Sequence, residues 1–211
     1  IQHLKKKCII MKNSWHLSWK DKLNKNIFNN DSKNNKPNKD VFYLTYFSGT
    51  RTHDLDLLMI TDSLFNVMKK HKNLKFKFYG KGNIEKKIAN MSIKEKKIHF
   101  KKYHTVFSSS FVNLAPLEDT VFNNAKSAIK IIEAGFFGIK TVCSPNPDYI
   151  QSPMSARNIA YNVSDWEEQL NLAIDTAHNK KNIHIVMDEI RYTYDPINTT
   201  KELIIDFESS F

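Results

Sequence analysis

Cysteine, long apolar runs and a leader-like start are what this sequence lacks. The 211 residues hold two cysteines, Cys8 and Cys143, far apart and each inside an apolar run. That pattern favours core thiols in a reducing compartment over a disulfide, and no Cys/His spacing of the zinc-binding kind occurs. No apolar stretch approaches the roughly 18 residues needed to cross a bilayer. Ile1 to Lys7 shows neither the apolar region of a signal peptide nor an initiator methionine. The expectation is a cytoplasmic chain, cut from something longer.

Basic charge and apolar residues are plentiful. Lys and Arg number 32 against 22 Asp and Glu, a formal net charge of +10, and 41% of the residues are hydrophobic. Such a chain can bury a real core, so one domain of α/β size with an appendage at one end is expected. The lysines are mixed with Asn and Ile along the whole chain, which says little about any one site. Specific binding of nucleic acid is therefore not expected. A basic face resting on the inner face of a membrane is the better reading of the excess, because anionic headgroups reward basic residues one by one.

Residues 8 to 12, Cys-Ile-Ile-Met-Lys, predict a short strand, and Trp15 to Leu23 an aromatic-rich segment. Asn24 to Asp40 is rich in Asn, Lys and Asp, the composition of a mobile loop or linker. Val41 to Phe47 is β-branched and aromatic and predicts a buried strand that stops at Ser48-Gly49. From Asp54 to Lys70 apolar residues recur at helical spacing, with Asp54 a candidate cap and Lys69, Lys70 and His71 at the end the helix dipole favours. Leu74 to Tyr79 alternates as a strand and breaks at Gly80-Lys81-Gly82; Ile84 to Met91 predicts a short helix and Ile98 to Phe100 a short strand. Farther on, Asn158 to Tyr161 reads as a strand and Ser164 to Ala177 as a helix capped by Ser164, with Glu167 in capping-box position. Ile183 to Arg191 and Thr199 to Phe207 read as two more helices. Strands and helices alternate throughout, so the expected fold class is α/β, a Rossmann-like parallel sheet with helices on both faces.

The centre of the chain carries the candidate site. Phe111 to Leu117 reads as a strand entering a loop, Phe122 to Gly135 as one helix, and Gly138 to Pro145 as a turn and the next strand. Strand, loop, helix, turn, strand is a βαβ unit, whose strand end and helix start meet at a crevice where free N–H groups favour phosphate. Lys126, Lys130 and Glu133 follow i, i+4, i+7 spacing and share one face of that helix, opposite Ala125, Ala128, Ile129 and Ile132. A solvated edge with a Lys130–Glu133 pair worth under about 1 kcal/mol is the plain alternative. The apolar strands and Phe136-Phe137 around the helix argue instead that its polar edge faces a cleft. Two other loops belong at the same sheet edge. Ser48 to Asp54 offers Gly49 for close approach of backbone and Arg51 as a planar fork for phosphate, although a strand-to-helix turn with a glycine is common and Arg51 taken alone reads more often as a solvated residue. Gly80-Lys81-Gly82 alone is read as a plain turn.

Tyr46-Phe47-Ser48-Gly49-Thr50-Arg51-Thr52-His53-Asp54, Phe78-Tyr79-Gly80-Lys81-Gly82, and Leu114-Ala115-Pro116-Leu117 leading through Phe122 to Ser127, Lys130, Glu133-Ala134-Gly135 and Ser144-Pro145 with Tyr149 form an ordered set over about residues 41 to 170. In order and spacing it resembles the C-terminal, donor-binding domain of GT-B glycosyltransferases of the group 1 (family 4) type, especially those that build bacterial surface polysaccharides. The resemblance implies a nucleotide-diphosphate sugar as donor, a saccharide or lipid-linked acceptor and no obligatory metal or other cofactor. It places Glu133 on the ribose hydroxyls and Arg51 and Lys126 on the diphosphate as catalytic groups. Gly49, Gly80, Asn124, Ser127 and Lys130 would complete the donor site. Ala125 stands where the family carries a first glutamate, and His53 near where it carries a second basic residue. The segment from Tyr103 to Phe111 is shorter than the helix usual there.

By the same resemblance, residues 1–40 are the end of an N-terminal domain that this chain lacks, a crossover and a linker. Residues 41–195 are the nucleotide-sugar-binding domain, and 196–211 a helix returning to the missing half. Trp15 and Trp19 would lie near the hinge or serve as core. Isolated from its acceptor half, the domain is expected to bind without useful turnover. The alternative is a non-catalytic module that uses the same basic crevice for anionic polymer or a partner protein.

Overall fold

A computed structural model describes residues 9–20, 41–48, 54–177 and 179–209. Six strands run through it in chain order: β1 (Phe42–Ser48), β2 (Leu74–Gly80), β3 (Ser92–Glu95), β4 (Ser110–Ala115), β5 (Thr141–Cys143) and β6 (Arg157–Ile159). All neighbours pair in parallel, in the order β3-β2-β1-β4-β5-β6. The helices are α1 (Asp54–Leu58), α2 (Thr61–Lys70), α3 (Lys86–Ala89), α4 (Tyr103–Phe107), α5 (Val121–Asn124), α6 (Ile129–Gly135), α7 (Pro147–Gln151), α8 (Asp165–Ala177), α9 (Lys180–Thr193) and α10 (Pro196–Glu208). The fold is thus the α/β, Rossmann-like parallel sheet that the alternation of strands and helices predicts.

Two apolar clusters explain why. Leu44, Phe76, Val112, Leu114 and Val142 of the strands pack with Leu64 and Val67 of α2 and Trp166 and Leu170 of α8. The second cluster gathers Ile131, Ile132, Phe136 and Phe137 in and beyond α6 with Val186 and Ile190 of α9, Phe107 of α4, Trp15 and Trp19. Both tryptophans are therefore core residues. Trp19 donates its indole N–H to the Phe100 carbonyl at 3.1 Å and Trp15 to that of Arg191 at 3.0 Å, so each polar edge is satisfied.

Several sequence expectations give way. Residues 9 to 12 form no strand; the segment is held from outside, with the Trp15 N–H on the Tyr194 carbonyl. Ile98 to Phe100 is not a strand either, and the edge strand is the charged β3, whose partner Phe76 to Tyr79 carries the apolar pattern. The helix expected from Asp54 to Lys70 breaks at Met59-Ile60, and the one from Ile84 to Met91 shrinks to α3. Ser164 does not cap α8, because its hydroxyl bonds to the Asn162 side chain while Asn162 Oδ1 accepts the Asp165 N–H at 3.1 Å. Glu167 accepts from Asn66 instead of closing a capping box. The helix expected from Phe122 to Gly135 is two helices, α5 and α6, with Lys126 on the bend between them.

Candidate functional site

Strand order reverses direction between β1 and β4, so the chain leaves these neighbours to opposite sides and opens a crevice beyond their carboxyl ends. Residues 49–53, and with them Gly49, Arg51 and His53, lie outside the described residues, as does the Asp54 side chain. The rest of the crevice is formed by α1 on the β1 side and, on the β4 side, by the loop 116–120, α5 and α6.

A buried carboxylate joins the two sides. Asp56 of α1 is 1% exposed, and its Oδ1 accepts from the Glu118 N–H at 2.8 Å and the Asn123 side-chain amide at 3.1 Å. The Asn123 amide also donates to the Glu118 carbonyl at 3.0 Å, and the Asn123 carbonyl accepts from Asn146 at 2.6 Å. Asn123 is thereby fixed on every side, which is why the helix cannot run straight on. The Lys126 N–H folds back to the Asn123 carbonyl at 3.0 Å, and Asp148 at the start of α7 takes the Ala128 N–H that would otherwise continue the helix. Asn13 donates to the Ser127 hydroxyl, which brings the 9–20 segment against the same bend.

Lys130 and Glu133 remain together on α6. The Lys130 ammonium is buried with no hydrogen-bond partner among the described residues, 4.7 Å from the centre of the Tyr46 ring. A ring face offsets part of the cost of burying a cation and leaves its donors unused. Burial pulls the Lys130 pKa down to about 8, against the attraction of Asp56 and Glu133 and with the repulsion of Lys126. Burial pushes Glu133 up to about 7, opposed by Lys130. No ion pair joins the two within 4 Å among the described residues, so the surface-pair reading of Lys130 and Glu133 fails. Lys126 lies 5.0 Å from the centre of the Phe122 ring, its pKa lowered by burial and raised by Asp56. Tyr103 is held protonated well above its usual range by burial and by Glu133.

The structure therefore gathers Lys126, Lys130, Glu133 and Ser127 around the bend and α6. Asn124 is exposed and turned to Asp119 at 2.7 Å, so its neighbour Asn123 is the buried amide of the site. Gly80 stands where β2 ends against β1. Its φ is +120°, and a Cβ there would meet the Ser48 carbonyl oxygen at 1.9 Å, so glycine is what lets these two strand ends close. Sequence reasoning missed Asp56, Asn123, Asn146 and Asp148. Only Asp56 carried a signal, an acidic residue at a position the helical pattern buries.

A cleft of about 690 Å³ adjoins the bend, walled by Ile10, Met11, Lys12, Lys126, Ser127 and Asp148 among others. No cluster of three metal-ligating side chains forms among the described residues, and no helix there is long and apolar enough to cross a membrane. Chemically the crevice offers two ammonium groups, that of Lys130 buried with its donors unused among the described residues, beside a carboxylate able to accept from hydroxyls.

No protein-family model matches the chain, and no curated protein matches it in sequence. Its fold does match solved structures. TarM of S. aureus, in a complex with UDP, superposes with a TM-score of 0.54 at 16% identity over 81% of this chain and 36% of that one. HepE of Anabaena, in complex with UDP and glucose, gives 0.58 at 10% identity over 82% and 49%. The catalytic domain of the cholesterol-α-glucosyltransferase of Helicobacter pylori gives 0.52 at 14% identity over 71% and 98%. The chain thus spans about a third to a half of the length of TarM and HepE. These neighbours are GT-B glycosyltransferases, and the Rossmann-like fold of this chain is the one they share.

Proposed function

We propose that the β1–β4 crevice seats the diphosphate and ribose of a nucleotide-diphosphate sugar, and that the chain is the donor-binding half of a GT-B glycosyltransferase. The observation that carries this reading is the Lys130 ammonium, buried without a hydrogen-bond partner among the described residues at the topological switch point. A buried cation is costly while its donors go unused, and a diphosphate supplies both acceptors and negative charge in direct contact. Lys126 adds a second cation at the bend, and Glu133 accepts from the ribose hydroxyls through charge-assisted bonds. Charge builds on the diphosphate as the glycosidic bond loosens. Preorganised ammonium groups stabilise it there without having to reorganise, which is the main catalytic task of Lys126 and Lys130, with Arg51 assigned to them from the sequence. In this reading the side chains carry the charge of the diphosphate and no metal is required. The acceptor is a saccharide or lipid-linked acceptor in surface polysaccharide assembly, presented by a second domain.

Calorimetry with UDP, GDP and dTDP tests this reading. At least one should bind folded protein at millimolar concentration or below without added metal. If none does, the crevice is not a nucleotide site.

A further inference from the structure

We infer that Asp56 is the positioning carboxylate of this crevice: it pins the loop after β4 to the helix after β1 and serves as the counter-charge of Lys126 and Lys130 until a diphosphate arrives. The inference rests on the diphosphate reading and adds a residue to it. Asp56 is almost wholly buried, yet it belongs to α1 while both of its hydrogen-bond donors given above, the Glu118 N–H and the Asn123 amide, belong to the other wall. One side chain therefore ties the two walls of the crevice together. Both lysines feel it: Asp56 is the leading attraction on each, working against their burial. Among the described residues the other charged groups that act on Lys130 are Lys126 on the bend and Glu133 on α6; the Tyr46 ring of β1 packs on it.

A counter-charge and a structural pin behave differently when the charge alone is removed. Asp56→Asn keeps an oxygen to accept the Glu118 N–H, so the pin largely survives while the charge is lost. The readout is the titration of Lys130 in ligand-free protein, followed by 13Cε–15Nζ correlation spectra of lysine-labelled protein, with the signal identified by its loss in Lys130→Arg. In Asp56→Asn the Lys130 midpoint should fall, by an amount on the order of one pH unit, because the leading attraction on that ammonium is removed. UDP affinity should then fade at a correspondingly lower pH than in the wild type. Asn123→Ala, which weakens the pin and keeps the charge, should reduce UDP affinity and leave the Lys130 midpoint in place. Should Asp56→Asn not fold, Asp56→Glu retains the charge and must retain the midpoint. An unmoved midpoint in Asp56→Asn, or a moved one in Asp56→Glu, overturns the counter-charge role. Failure of the wild type to bind any nucleoside diphosphate is a separate result, and it overturns the proposed function without touching the Lys130 midpoint.

Discussion

Glu133 and Lys130 sit three residues apart on one short helix, and burial drives both toward their neutral forms, to about 7 and about 8. A surface pair would have no reason to tolerate this. Groups that wait for a ligand do, since the missing partner arrives with substrate. If Glu133 accepts from ribose hydroxyls, Glu133→Ala removes a charge-assisted bond and should weaken nucleoside diphosphate binding by about ten-fold or more. Calorimetry reads this directly, and an unchanged dissociation constant would deprive Glu133 of its role. The residue types at 126, 130 and 133 were legible in the sequence as a polar edge within an apolar segment. The burial of the Lys130 ammonium was not, because it involves the Tyr46 ring, which comes from the other side of the crevice.

At the scale of elements, the helix expected from Phe122 to Gly135 is the instructive failure. Helical periodicity runs through it unbroken, and periodicity responds only to spacing. The break at residues 125 to 128 comes from Asn123 being claimed by Asp56 and Asn146, and from Asp148 taking the Ala128 N–H. These partners lie 67, 23 and 20 residues away, beyond the reach of any local pattern. The break leaves Lys126 outside α6 and in the lining of the cleft. The β2 terminus shows the opposite case, in which one residue reports its element's geometry. Gly80→Ala puts a Cβ against the Ser48 carbonyl at a backbone angle that side chains rarely adopt. Urea unfolding should show a loss of about 2–3 kcal/mol. A neutral result would mean that the two strand ends part easily.

For the whole molecule, the buried pair sets a pH dependence of stability whose sign is fixed by linkage. Glu133 has its folded pKa raised, so its stabilising contribution is complete below its unfolded value of 4.5 and is lost as pH rises to about 7. Lys130 has its folded pKa lowered, so its contribution is complete above 10.5 and is lost as pH falls to about 8. Both contributions are therefore spent between about 7 and 8, and the unliganded protein should gain stability from this pair on either side of that window. Lys130→Met should abolish the alkaline rise and raise Tm near pH 7.5, by the equivalent of at most about 3 kcal/mol, while nucleotide binding is lost. Thermal unfolding across pH, with and without UDP, checks both limbs. A flat profile would return Lys130 to solvent.

Alternation of strand and helix patterns, the apolar faces of β1, β2 and β4 and the amphipathic helices α2 and α8 were set by local sequence, because backbone period and side-chain polarity act over a few residues. That much determined an α/β parallel sheet and the segments that would meet at its carboxyl edge. Strand order, the break between α5 and α6 and the burial of Lys130 and Asp56 were decided only by the tertiary structure. Each depends on groups distant in the chain and close in space, where a hydrogen bond or the loss of water outweighs what either segment prefers alone.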